Sequence, residues 1–473
     1  MAMNFHSSLR TLSLIIPLAV VLTLATSAHA ASPVTNYAYD ANGNVTKVTD
    51  GLNHATVNVY DPLNRRVTST DANSGITQYQ YNAINQLMQV TDPKGLSTTY
   101  TQNAFGDVLT QVSPDTGNTI NTYDSAGNVL TRTDAKGQVT HYTYDSLNRV
   151  TLITYHDNST VTYSYDQGSN GLGRLSSIAD SIGTISYAYD ALGHILTETR
   201  VIGAVSYVCR YLYNTAGQLV SVTYPSGRVL NYTLDSLGRI SQISSVAGGQ
   251  TQVLVSNIQY RPFGPAQSLQ YGNNTTYTRQ FDTDGRIVSY TLGSQTISLS
   301  YDAASRIVAS NDAQNAAYNR SYGYDVLDRL TSNNDASTSL GYSYDANGNR
   351  ISYRSGITEY PYTYPSNSNR LSATAGPTPT RSYTYDANGS PTTDSINHYG
   401  YDSRGRMTQA TTATGVYTYG INALGQRVQK IKSATGTLYH YDTQGHLIAE
   451  TDTTGAMKLE YVYLYDMPLA LLK

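Results

Sequence analysis

Residues 141–155 read HYTYDSLNRVTLITY, and the fold turns on how this phrase is parsed. In Tyr142-Thr143-Tyr144 the two tyrosines sit at alternate positions, which places both on one face of a strand. Asp145 follows, a residue whose carboxylate bonds its own backbone two residues on and starts a turn. Three residues later comes Asn148, one of the few residue types that tolerate positive φ, as hairpin loops built on a type I turn require. Arg149 then leads into the β-branched run from Val150. The phrase is one β-hairpin.

The chain writes this hairpin about twenty times. Aligned on the residue after the second tyrosine, Asp40, Asp61, Asn82, Asn103, Asp124, Asp145 and Asp166 follow one another at 21-residue steps, and the period loosens beyond them. The positive-φ position is filled by Gly43, Gly127, Asn148, Gly193 and Gly348, each three residues after its turn-opening Asp40, Asp124, Asp145, Asp190 or Asp345. A second turn signal, such as DPKG at 92–95 or DAKG at 134–137, joins one hairpin to the next. A fixed period in this range is read as repeat architecture. The expected fold is all-β, an antiparallel hairpin meander winding into a β-spiral, because open twisted sheets do not stay open over so many strands. About forty strands at roughly 4.8 Å give a ribbon of about 190 Å, which would close one turn about 60 Å across. The tyrosine pairs Tyr37 and Tyr39, Tyr142 and Tyr144, Tyr187 and Tyr189, and Tyr383 and Tyr385 are expected to stack as ladders between neighbouring hairpins. Irregularities are expected near 244–275 and 372–380, within one repeat array spanning 31–473.

Composition narrows function. There are 44 Tyr against 4 Phe and no Trp, so the aromatic need is for a ring carrying a hydroxyl. Charged residues are 13% of the chain and the net charge is -3, which gives no electrostatic footprint for nucleic acid. Cys209 stands alone, which rules out an internal disulfide framework and is read as a small buried side chain. At the N-terminus, Arg10, the apolar run Leu12 to Leu24 and the A-x-A site at 28–30 describe a secretory signal peptide over residues 1–30. The run is shorter than the roughly 20 residues that span a bilayer, and no later segment is apolar enough to do so. The expected location is therefore secreted, extracellular or at the cell surface, with periplasmic transit in a Gram-negative source.

No catalytic, cofactor or metal site is expected. His6 and His29 lie in the leader and the other histidines mostly at variable repeat positions without zinc spacing, and DANGN at 40–44 and 345–349 lacks the Glu that would complete a calcium loop. Asp145 with Arg149, and Asp325 with Arg329, are expected to be hairpin salt bridges, the Arg resting on a tyrosine face.

The pattern Y-x-Y-D-x-x-G-[RNQ]-[LIV] resembles the YD repeat of RHS-repeat proteins. These include bacterial RHS polymorphic toxins, shell components of insecticidal toxin complexes, a cell-wall-associated branch and the animal teneurins. The resemblance covers residues 34–466, and the tail at 438–472 is similar to the late part of the bacterial RHS core. It implies a hollow β-shell, here an open and partial one, of the kind that encloses a C-terminal toxin. Family toxins continue into a closing segment, a D-P-x-G-type self-cleavage motif and a toxin domain, so the chain reads as truncated before these. DPLN at 61–64 and DPKG at 92–95 sit at regular turn positions and carry over no cleavage site. The implied function is a secreted, non-enzymatic scaffold; the alternative is an extracellular module binding carbohydrate or a neighbouring cell. Expected partners are another shell chain or toxin cargo, met through a C-terminal edge at Leu459 to Tyr465, or glycans.

Overall fold

The structure, a computed structural model, describes residues 33–473, so the leader read at 1–30 lies outside the described residues. The described residues form a succession of strands joined by tight turns, with a single 3-10 turn at Ala316–Tyr318 as their helical content. Strands pair antiparallel with their neighbours in sequence, except between Arg381–Ser382 and Thr384–Tyr385, which do not pair. A 33-stranded sheet runs as far as Arg381–Ser382, and a 10-stranded sheet continues from Thr384–Tyr385. The meander is open and does not close into a barrel.

The hairpin at 139–154 shows why the repeat folds as it does. Val139–Tyr144 pairs with Val150–Thr154, Tyr142 opposite Ile153, and the register shifts by one residue between Thr143 and Tyr144. The same bulge recurs before the turns that follow Tyr60, Tyr81 and Tyr165. A bulge adds local right-handed twist, so a bulge in each repeat curls the ribbon steadily. The two interruptions of rhythm take different forms. Near 244–275 the strand Gln250–Tyr260 extends to 11 residues, with register breaks between Ser256 and Tyr260. Near 372–380 the strands shrink to Ala373–Thr374 and Arg381–Ser382, where the long sheet ends.

The curl is tighter than ribbon length alone suggests. Asn347 donates to Asp92 at 2.6 Å across 255 residues, and Asn388 donates to Asp134 at 2.6 Å across 254. One lap therefore takes about 12 repeats, or 24 strands, and at ~4.8 Å per strand its circumference is about 115 Å and its width about 37 Å. The expected single turn about 60 Å across is thus corrected. The described residues make most of two laps, the second lying against the first.

Burial follows the laps. Between residues 33 and 160 no apolar side chain is fully buried, so that stretch of wall is a single layer with two accessible faces. Farther along, the second lap slides over the first. Val222, Leu230, Ile243, Val255 and Leu269 of the first lap pack with Ile448, Val462 and Leu464 of the second in one apolar core. From Asn347 to Met467 the second lap advances 120 residues, while its first-lap partners advance 187, from Asp92 to Arg279. Fewer residues for the same arc means a shorter path, so the end of the ribbon lies inside the first lap.

The expected terminal edge is also corrected. Leu459 to Tyr465 is not the last strand: Met457–Leu464 is paired on its far side by Met467–Leu472. Tyr465 takes φ +52° and, with Asp466, makes a two-residue turn. Pro468 lies in the returning strand, where an edge position tolerates its missing N–H.

Candidate functional site

What recurs along the chain is a clip, and Asp145 shows its chemistry. Asp145 Oδ1 accepts from the backbone N–H of Leu147 at 2.9 Å and of Arg149 at 3.0 Å. Its Oδ2 accepts from Arg149 Nε at 2.7 Å. The backbone N–H of Arg149, joined by its side chain and opposed by partial burial, holds the Asp145 carboxyl below its ordinary range. Asn148 closes the turn at φ +60°. Arg149 then reaches forward. It meets Asp166 Oδ2 of the next repeat at 2.5 Å and lies over the Tyr165 ring at 4.3 Å. Tyr165 in turn donates its hydroxyl back to Val150 O at 3.1 Å.

The other turn residues repeat the pattern with different donors. Asp40 and Asp124 are bonded by Asn44 and Asn128, while Gly43 and Gly127 hold φ +85° and +84°. Asp190 is met by His194 at 2.8 Å with Gly193 at φ +94°, and Asp345 by Asn349 at 2.9 Å with Gly348 at φ +85°. The residue after the Gly or Asn is a donor that bonds its own Asp and then reaches toward the next repeat. Sequence reading placed it in its own hairpin only. The signal was available: Asn, Arg, Gln and His share little except the ability to donate.

The tyrosine pairs named above do not form the expected ladder of stacked rings, although Tyr342, Tyr353 and Tyr360 meet across three neighbouring strands at 5.8 and 5.9 Å. Tyr144 donates to Val129 O at 2.9 Å and Tyr189 to Leu175 O at 2.7 Å. Tyr385 donates to Leu371 O at 2.6 Å, under the Arg370 guanidinium. Where the preceding hairpin supplies an Arg or His, its side chain lies on the ring, as with Arg174 on Tyr189 at 5.7 Å and His194 on Tyr213 at 4.6 Å. Tyr187 and Tyr189 lie 6.4 Å apart, but contacts between tyrosines of successive repeats are sparse among the described residues. Tyr37 and Tyr39 remain exposed, Tyr142 faces Ile153 across its hairpin, and Tyr383 bonds Ser372 through its backbone N–H. The repeat spacing sets this outcome: where the turn donor is Arg or His, its side chain fills the gap between successive rings and takes the face another ring would use.

Between laps the turns dock edge to edge. Second turns of the first lap meet first turns of the second: Lys94 with Asp345 at 3.2 Å, and Lys136 with Asp386 at 3.6 Å. Asp115 accepts three bonds from the other lap. It takes Ser368 Oγ at 2.6 Å, the Asn369 backbone N–H at 2.7 Å and Asn369 Nδ2 at 3.2 Å. Gly389 fits because it has no Cβ; one would stand 2.4 Å from Asp115 O. One crossing gathers Asp50, His54 and Asp328, whose ligand atoms lie within 4.8 Å of one another. There His54 Nδ1 is bonded to Asp50 at 3.0 Å and Arg306 pairs with Asp328 at 2.8 Å, so the group reads as a seam contact.

Where the second lap lies over the first, charged groups are buried with the apolar core. Glu198 and Arg200 pair at 2.5 Å, Arg200 reaching on to Gln426 of the second lap at 2.7 Å. His440 tilts against Tyr207 at 4.0 Å and bonds Thr451 through Nε2 at 3.0 Å. Burial pushes the His440 imidazole down to about 4 and the Cys209 thiol up to about 12. A thiol so held is a packing group, not a nucleophile. The arrangement as a whole joins wall to wall.

The RHS Repeat family model matches residues 60–96, 123–160 and 213–251, and the Teneurin YD-shell model matches 333–466. The crystal structure of TcdB2-TccC3 without its hypervariable C-terminal region superposes with a TM-score of 0.73 at 15% identity, over 92% of this chain and 30% of that one. The Photorhabdus luminescens Tc holotoxin pore gives a TM-score of 0.72 at 15% identity, over 92% of this chain and 30% of that chain. At that identity the likeness is one of fold, and this chain spans about a third of the length of the structures it matches. Comparison with curated protein sequences returns no match.

Proposed function

The chain is an RHS/YD-repeat protein, and on that premise we propose that it forms a segment of a hollow β-shell that is exported, has no enzymatic role and helps enclose a polypeptide cargo. The observation that carries this reading is the seam. A ribbon whose two turn edges are complementary, Lys94 to Asp345 and Asp115 to Ser368 and Asn369, builds wall by stacking laps on itself. The TcdB2-TccC3 structure was solved without a hypervariable C-terminal region, and enclosure of such a region is the role proposed for the wall here. Further wall would come from another shell chain or from more of the same ribbon. The binding-module reading is less favoured, because so many repeat tyrosines are already engaged by carbonyls and guanidinium groups of their own wall.

Electron microscopy of the purified chain tests the shell. A hollow, open coil of stacked laps is expected, and flat ribbons or filled rods would overturn it. Export is tested separately: N-terminal sequencing of the released protein should start near Ala31, and an uncleaved cytoplasmic product would sink that part.

A further inference from the structure

We propose that the two outer edges of the coil are docking surfaces for one another, so that copies of this chain stack head to tail. This rests on the shell reading and deepens it, by naming a second copy as the partner that adds wall. The seam shows which side chain does the docking. It is the one two residues after the residue that opens a first turn. There Asn347 donates to Asp92 at 2.6 Å, Asn388 donates to Asp134 at 2.6 Å, and Arg404 pairs with Asp180 at 3.5 Å. At the seam that position is polar and meets polar partners.

On the first lap the same turns lie on the edge away from the second lap, and the same position is apolar. Leu63, Ile84, Phe105, Ala126 and Leu147 occupy it in five successive repeats. Leu63 and Ile84 are 61% exposed, Leu147 67% and Phe105 93%. Leu327, at the same position on the second lap, is half-buried. With two strands per repeat at ~4.8 Å each, the five side chains form a row about 38 Å long. Scattered exposed leucines need no explanation, but a contiguous apolar row marks an interaction site.

The opposite outer edge supplies the match. At the seam the second turns of the first lap carry Lys94, Asp115 and Lys136. The second turns of the second lap instead present Tyr318, Ala336, Ile357, Pro377 and Ile396, all exposed, Tyr318 at 62% and Ile357 at 101%. The neighbouring Asp335 and Asp394 are paired within their own wall by Arg320 and Arg381, and Arg354 stands opposite Glu359. The edges thus sort by chemistry, polar on polar at the seam and apolar facing apolar outside it. A second copy reproduces the seam's geometry, first turns resting on second turns, with both apolar rows covered. Such a contact joins two different patches and leaves one of each free, so it extends instead of closing as a pair.

Sedimentation velocity and electron microscopy of the purified chain test the stack. Rising micromolar concentration should give pairs and then longer hollow stacks. Ile84→Asp with Phe105→Asp blocks the first edge, and Asp284 already occupies the equivalent turn position, so the turn accepts the change. Tyr318→Asp with Ile357→Asp blocks the other edge. Each double variant should keep the parent's melting temperature and weaken self-association about tenfold or more. Mixed together, each retains the edge the other lacks, so association should return and stop at pairs. A parent chain that stays single, a variant that associates as well as the parent, or a mixture that does not pair would overturn the proposal. So would single chains floating with phosphatidylcholine vesicles through the first edge. Single open coils in micrographs would sink the stacking and leave the shell reading standing, whereas flat ribbons would sink both.

Discussion

At the residue scale, a turn position and a hydroxyl carry most of the repeat's logic. Gly127 sits at φ +84° and a Cβ there would meet nothing within 4 Å, so its requirement is backbone conformation alone. Gly127→Val should cost about 1–3 kcal/mol through strain, while Gly127→Asn should be close to neutral, since Asn148 holds φ +60° in the next repeat. Val at Ser125, two residues earlier, should matter much less; equal thermal shifts for Gly127→Val and Ser125→Val would show the assignment to be wrong. The excess of Tyr over Phe has a similar test. Tyr144→Phe loses the bond to Val129 O and should cost about 1 kcal/mol, whereas Tyr39→Phe, exposed at 60%, should cost almost nothing in a chemical melt. That a hydroxyl was needed was legible from composition. Its partner was not, because a carbonyl about fifteen residues upstream leaves no mark on the side-chain pattern.

At the scale of elements, hairpins were readable and their docking was not. The tyrosine pair, the Asp and the Gly or Asn recur often enough to fix strand and turn at 141–155. The last hairpin escaped because Tyr465 takes positive φ where Gly or Asn would be expected, and Pro468 interrupts the strand pattern. The docking of this end on the first lap makes stability depend on pH. Burial is the main cause of the lowered His440 pKa, with Arg200 adding to it, from 6.5 to about 4. The folded state therefore prefers neutral His440, and this contribution is complete above pH 6.5 and lost progressively as pH falls toward 4. At 1.36 kcal/mol per pKa unit the loss is about 3 kcal/mol. Glu198, raised by burial, has the opposite sign and favours folding as pH falls, which blunts the effect. His440→Gln should flatten the profile between pH 6.5 and 4 in equilibrium melts, and an unchanged slope would remove His440 from the account.

At the scale of the molecule, the seam decides the shape, and ribbon length did not reveal it. Strand count bounds the ribbon, but lap width depends on twist per repeat, which the side-chain pattern does not encode. Contacts at 254 and 255 residues of separation fix it directly. If the seam holds the laps together, damage on one lap must appear on the other. Asp115→Ala removes the acceptor for Ser368 and Asn369, and hydrogen bonds to a charged group are worth about 1.5–3 kcal/mol in stability. Amide exchange should quicken both around residues 108–120 and around 363–374. Asp124→Ala removes a turn carboxylate bonded only within its own repeat by Ala126 and Asn128, so its exchange should quicken near 120–133 alone. The pair separates a seam from a mere turn. Faster exchange confined to 108–120 in Asp115→Ala would mean that the laps do not hold one another, and the wall would then open to the ~60 Å arc expected of a free ribbon. Coupled exchange, with a coil about 37 Å wide at the backbone in electron micrographs, would establish that the repeat builds its enclosure by docking on itself.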